Sequence, residues 1–257
     1  MRPTSLPSPF LATVLLVCAA LGACRSTQDT WQQNCETQNA SAALPARGES
    51  VKPDINKDFL AEDLKVQQFI DRFEGESREI AKNHQAIQTA VGIQPGQHVA
   101  DIGAGTGLFL AGFANAVGPQ GKLYAVDIAP KFVEHLAERA KSEGLPQVET
   151  VLCSDDDCKL APASVDLAFI CDTYHHFEYP ARTMATIARA VRPGGSLCVV
   201  DFHRIPGVSR EWLLNHVRAG QEVFRAEIEA AGFEFVEEVT GLGLQENYFL
   251  RFRRKAS

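Results

Sequence analysis

The stretch Val99-Ala100-Asp101-Ile102-Gly103-Ala104-Gly105-Thr106-Gly107 decides how this chain folds. An apolar run of strand character reaches an acid, then turns through three alternating glycines into Leu108 to Val117, an apolar segment that reads as a helix. Glycine tolerates the backbone such a turn needs. Its missing side chain also lets a ligand lie on the main chain, at the electropositive start of the helix. Strand, glycine turn and helix in that order predict a nucleotide-type cofactor site in an α/β fold.

The spacing narrows the ligand. A dinucleotide site needs G-x-G-x-x-G, whose third glycine lets the helix pack closely on the strand. Counting from Gly103, that position is Leu108, and the spacing present is G-x-G-x-G, which disfavours a dehydrogenase. Asp101 would repel a pyrophosphate but can pair with an ammonium group. This combination resembles the first motif of class I S-adenosylmethionine-dependent methyltransferases, whose cofactor carries a methionyl ammonium and no phosphate. The resemblance implies that Asp101, Gly103, Ala104 and Gly105 line the cofactor site. The next β-rich run, Lys122 to Val126, ends in Asp127. An acid there can accept both hydroxyls of a ribose, or it can simply cap the helix Pro130 to Lys141. Ile128 is placed to cover one face of an adenine.

Composition bounds the rest. With 257 residues and 45% apolar content, the chain suffices for one sizeable α/β domain. A net charge of −7 argues against nucleic acid as a partner. The basic run Arg251 to Lys255 begins with apolar alternation and reads as an edge strand with solvated charges. The oligomeric state is left open.

Residues 1–23 read as a signal peptide: Arg2 supplies positive charge, and Phe10 to Ala23 is apolar but short of the roughly 20 residues a transmembrane helix needs. Its end, Leu21-Gly22-Ala23-Cys24, resembles the lipobox of bacterial lipoproteins, which implies a lipidated Cys24 and a membrane anchor. The location implied is the cell envelope, on the periplasmic side of the inner or outer membrane, with Arg25 pointing to the outer one. A plain secretory signal is the alternative, and a misread start would leave the protein cytoplasmic. The polar segment 24–57 reads as a flexible tether and 58–257 as the catalytic domain. Cys153 and Cys158 either remain free thiols, as the other strand cysteines Cys171 and Cys198 are expected to, or pair in an oxidising compartment.

Phe59 to Ala90 is helical in pattern and is interrupted at Gly75, with Ser77 a candidate cap for the second half. In the family, such a segment covers the cofactor cleft, so Arg72, Glu74, Glu76 and Arg78 either face the site or form a solvated face. Strands are expected at 98–102, 122–126, 148–153, 165–171 and 195–201, and a closing pair at 233–238 and 246–253. Helices are expected at 107–117, 130–142, 180–191 and 209–231. The alternation predicts a Rossmann-like, mostly parallel seven-stranded sheet with helices on both faces and a C-terminal antiparallel hairpin.

Ligands in open α/β sheets sit beyond the carboxyl ends of the strands. After the third strand comes Ser154-Asp155-Asp156-Asp157, where the resemblance implies an acid for the adenine amino group, Asp156 first and Asp155 in reserve. Cys171-Asp172-Thr173-Tyr174-His175-His176-Phe177 resembles the family's fourth motif, in a variant found among small-molecule methyltransferases of the ubiquinone-biosynthesis type. There Asp172 would lie near the methionyl end of the cofactor, and Tyr174 and His175 near the transferred methyl. His175 is the candidate base, although paired histidines here also serve to cap and pack the next helix. Asp201-Phe202-His203-Arg204 and His216 fall in the acceptor region without forming a signature, and no metal-ligand spacing stands out. The resemblance implies S-adenosylmethionine as cofactor and methyl transfer to an O, N or C nucleophile of a small-molecule or lipid-like acceptor. Because the cofactor is made in the cytosol, an exported chain could instead be a lipid-anchored binding module without turnover. Asp101, Gly103, Gly105 and Asp127 favour the enzyme, since a module without cofactor has no physical need for all four.

Overall fold

The computed structural model describes residues 44–75 and 78–256. The signal segment, Cys24 and the tether up to residue 43 lie outside the described residues, as do Glu76 and Ser77. Residues 44–57, grouped with the tether on composition, lie on the domain: the Val51 N–H donates to the Glu178 carbonyl at 2.9 Å and Asn56 is buried. Among the described residues, no helix is long and apolar enough to cross a membrane.

Three leading helices, α1 (Val66–Phe73), α2 (Glu79–Lys82) and α3 (His84–Val91), precede the sheet. Then follow β1 (His98–Ile102), α4 (Leu110–Val117), β2 (Lys122–Asp127), α5 (Pro130–Ser142), β3 (Val148–Leu152) and β4 (Val165–Cys171). A single 3₁₀ turn (Tyr174–His176) leads to α6 (Pro180–Ala190) and β5 (Val191–Phe202). The chain closes with α7 (Glu211–His216), α8 (Gln221–Ala230), β6 (Phe233–Glu238) and β7 (Asn247–Arg254). The expected helix over 209–231 is thus two. Val217–Gly220 breaks it, and Arg204 caps the first piece by donating to the carbonyls of Leu214 (2.9 Å) and Val217 (2.8 Å).

The sheet order is β3-β2-β1-β4-β5-β7-β6, with β1 to β5 parallel and β7 antiparallel between β5 and β6. The basic C-terminal run is therefore an interior strand, not an edge. Phe252 is fully buried, and Arg251 turns its charge to Glu237 and to the Ala90 carbonyl. Burial on both faces makes the central strands almost continuously apolar. Val99, Leu123, Leu167 and Phe169 pack with Phe113 and Leu136 on one face, while Ala100, Ile102, Ala168 and Ile170 pack with Met184 and Ile187 on the other.

After β3 the chain crosses to the far side of β1. The switch point therefore lies between β1 and β4, and the crevice beyond their carboxyl ends is where this topology places a ligand. The glycine turn stands there. Gly103 has φ +78, and a Cβ on it would come within 2.3 Å of the Thr173 side chain. Gly103→Ala is expected to lower the unfolding free energy by about 3 kcal/mol or more, from backbone strain plus overpacking. Gly92→Ala, also left-handed at φ +75 but with its nearest contact at 3.8 Å, is expected to cost about 1 kcal/mol. Urea unfolding of both variants checks this, and equal losses would show that the contact with Thr173 does not matter.

Candidate active site

One carboxylate organises the turn. Asp127, at the end of β2, accepts the Gly105 N–H at 2.8 Å and the Ala129 N–H at 2.8 Å, one on each oxygen. The N–H groups of Gly103 and Ala104 donate to the Val126 carbonyl at 2.8 and 3.0 Å, so β2 holds the turn from end to end. Burial pushes the Asp127 carboxyl up to about 6, against the lowering effect of the Ala129, Gly105 and Ile128 N–H groups. Burial, together with the Asp127 charge, pushes the Asp101 carboxyl up to about 7. Both acids line a cavity of about 990 Å³, a size suited to a cofactor with a second small molecule.

A third acid closes the ring. Asp172 follows β4 in the left-handed region (φ 48), forms an ion pair with Arg78 and accepts Asn247 Nδ2 at 2.7 Å. Burial still raises its carboxyl to about 6, although Arg78 and Asn247 pull the other way. The leading segment that carries Arg78 is latched by the next residue: Glu79 accepts the N–H groups of Gln245 (2.6 Å), Glu246 (3.0 Å) and Asn247 (3.0 Å). Phe59, Phe69 and Phe73 cluster with Phe132 of α5, ring centroids 5.4 to 6.5 Å apart where they pack, and roof that side of the cavity.

At the other end stand three histidines. His175 is buried and its Nδ1 lies 2.8 Å from Asp201 Oδ1. His176 Nδ1 lies 3.2 Å from Asn56 Oδ1, and His176 Nε2 lies 3.4 Å from His216 Nε2. Phe202 and Trp212 complete this wall.

Asp101, Gly103, Ala104, Gly105, Asp127, Ile128, Asp172 and His175 line one cavity. Asp156 does not line it. Ser154 and Asp157 bridge, folding the loop back, and Asp156 faces Arg182 Nε at 2.8 Å and Ser154 Oγ at 3.0 Å. Asp155 pairs with Arg47 at 2.5 Å, away from the cavity as well. Tyr174 is fully buried and donates to Glu227 Oε2 at 3.1 Å, so it too is drawn off the site. Of the leading charges, Arg72 and Arg78 line the cavity, whereas Glu74 pairs with Arg139 at 2.8 Å. Cys153, Cys158, Cys171 and Cys198 are free thiols. Asn56, Glu79 and Asn247 carried no sequence signal, because each acts through a contact 75 or more residues away: Asn56 with His176, Glu79 with the Asn247 backbone, and Asn247 with Asp172.

Residues 100–199 match the family model described as a methyltransferase domain. An uncharacterized transposon-encoded protein of Streptomyces fradiae is 32% identical over 46% of this chain and 34% of its own length. The ubiquinone/menaquinone biosynthesis C-methyltransferase UbiE of Bordetella parapertussis is 28% identical over 44% of this chain and 43% of its own. The chain thus spans less than half the length of these relatives. The crystal structure of a SAM-dependent methyltransferase from Aquifex aeolicus has the same fold, with TM-score 0.62 and 21% identity over 79% of this chain and 99% of that one. The mostly parallel sheet with its antiparallel hairpin is the Rossmann-like fold of that structure.

The raised acid at Asp101 has a measurable consequence. From about pH 4 to about pH 7 the folded chain holds a proton there that the unfolded chain has released, so stability falls as pH rises through that window. Asp101→Asn imitates the protonated acid. In urea melts it should match the parent near about pH 4 and exceed it by about 4 kcal/mol near about pH 8. Parallel pH profiles for the two proteins would contradict this.

Proposed function

We propose that this chain is an S-adenosylmethionine-dependent methyltransferase acting on an O, N or C nucleophile of a small-molecule or lipid-like acceptor. The observation that carries the reading is the gathering of Asp101, the Gly103–Gly105 turn and Asp127 on one cavity at the switch point. The methyltransferase-domain match over residues 100–199 supports it. The fit is chemical. Three buried carboxylates with raised pKa values line a cavity in which Arg78 neutralises only Asp172, a field that favours a cationic ligand. A Cβ at Gly105 would meet nothing nearer than Phe73, at 3.8 Å, so the turn leaves room against its backbone.

When bound, S-adenosylmethionine supplies a methyl group already activated on a sulfonium, so the chain's task is alignment. Asp101 would meet the ammonium, Asp127 keeps lone pairs for the ribose hydroxyls, and Ile128 would cover the adenine. Asp172 with Arg78 would hold the methionyl end. His175, oriented by Asp201, lines the acceptor end of the cavity, where it would help to position the nucleophile. Leu21-Gly22-Ala23-Cys24 supports the further reading that Cys24 is lipidated and holds the enzyme on the periplasmic side of the envelope. Mass spectrometry of the mature protein should find a lipidated N-terminal cysteine there, and an unmodified Met1 would refute it.

Calorimetry of the full chain should show binding of S-adenosylmethionine and none of NAD. Placing positive charge beside Asp101 lowers its pKa. Binding should therefore release protons, and affinity should rise up to about tenfold per unit between about pH 5 and about pH 7. Asp127→Ala should weaken binding at least about tenfold, by loss of a charged acceptor. No binding at millimolar cofactor, or an Asp127→Ala variant that binds like the parent, would sink the assignment.

A further inference from the structure

We propose that His175, His176 and His216 form a binding site for one divalent cation of the zinc class, at the acceptor end of the cavity and with a coordination position left open. One ring nitrogen of each lies within 4.8 Å of the other two, and His176 Nε2 and His216 Nε2 are 3.4 Å apart. Two nitrogens bound to one tetrahedral ion at about 2.05 Å stand about 3.3 Å from each other.

The hydrogen bonds behind the rings decide which nitrogens carry lone pairs. Asp201, completely buried, accepts the backbone N–H groups of His175 (3.1 Å) and Phe202 (2.7 Å), and its Oδ1 faces His175 Nδ1. A carboxylate with two such donors accepts from Nδ1–H, which leaves the lone pair of His175 on Nε2. Asn56 does the same for His176. Its amide nitrogen donates to the His176 carbonyl (3.1 Å) and to Glu178 Oε1 (3.3 Å), so the atom facing His176 Nδ1 is the amide oxygen. His176 Nδ1 must therefore donate, and its Nε2 also bears a lone pair. An oxygen acceptor behind each imidazole is the arrangement that orients metal-bound histidines.

The third ring is brought in by α7 and stacks on Trp212, with centroids 4.8 Å apart and planes 16° apart. Three imidazoles suit zinc-class ions and not magnesium or calcium. All three rings line the cavity, so the free position faces the space for the acceptor. On the methyl-transfer reading, on which this part rests, an acceptor hydroxyl bound there gives its proton to water and stays on the cation as the nucleophilic oxygen.

The full chain, stripped with chelator, is titrated with Zn²⁺ by calorimetry and with Co²⁺ by absorption. One equivalent should bind, with the intense visible bands of low-coordinate Co²⁺. His216→Ala and His176→Ala should each weaken binding at least about 100-fold, and Asp201→Asn about 10- to 100-fold. Thermal melts establish that the variants fold, and His216→Ala should still bind S-adenosylmethionine in the presence of chelator. Zn²⁺ affinity weaker than millimolar, or binding that survives His216→Ala, would overturn the metal site. Loss of S-adenosylmethionine binding by the parent in chelator would overturn the methyl-transfer reading and leave the metal site standing.

Discussion

The contact on which this architecture depends is the pair of hydrogen bonds from Gly105 and Ala129 to the two oxygens of Asp127. It ties the turn after β1 to the start of the helix after β2, across the strand pair that forms the floor of the cavity. A turn with three left-handed glycines would otherwise sample many shapes. Tied in this way, it shows bare backbone to a ligand and leaves no side chain in the way. The same carboxylate keeps unused lone pairs toward the cavity, so one group both shapes the site and serves it.

The site is electrostatically costly to the empty protein. Asp101, Asp127 and Asp172 are buried around one space, and burial raises all three toward neutrality. Only Asp172 has a guanidinium against it, and that Arg78 arrives on a segment held by Glu79 at the start of β7. Such a chain gives up stability at neutral pH for a field that rewards a cation. Binding and folding are therefore linked through protons, and the linkage has a fixed sign.

The two ends of the cavity are built differently. The cofactor end is backbone and carboxylate, supplied by consecutive β-strand ends. The acceptor end is aromatic and imidazole, supplied by the 3₁₀ turn, the end of β5 and α7, with Asn56 reaching in from the leading segment. Asp201 and Asn56 set the histidine tautomers from behind, and the chemistry of that end follows from them.

That division explains what could be read in advance. The alternation of strands and helices is written in local periodicity, and Asp101, Gly103, Gly105 and Asp127, which meet on one cavity, lie within about thirty residues, where spacing translates directly into geometry. Asp156 shows where such reading ends: in a run of three acids, loop curvature decides which carboxylate faces inward, and here it turned them to Arg182 and Arg47. Tyr174 shows the same, drawn by Glu227 into the core. By itself, the sequence determined a Rossmann-like sheet with a charged glycine turn, because local periodicity and backbone sterics act over short range. Only the tertiary structure decided that Arg78 meets Asp172, that Asn56 and Asp201 orient two histidines, and that His216 joins them. Those contacts span from 26 to 120 residues and have no periodicity to betray them.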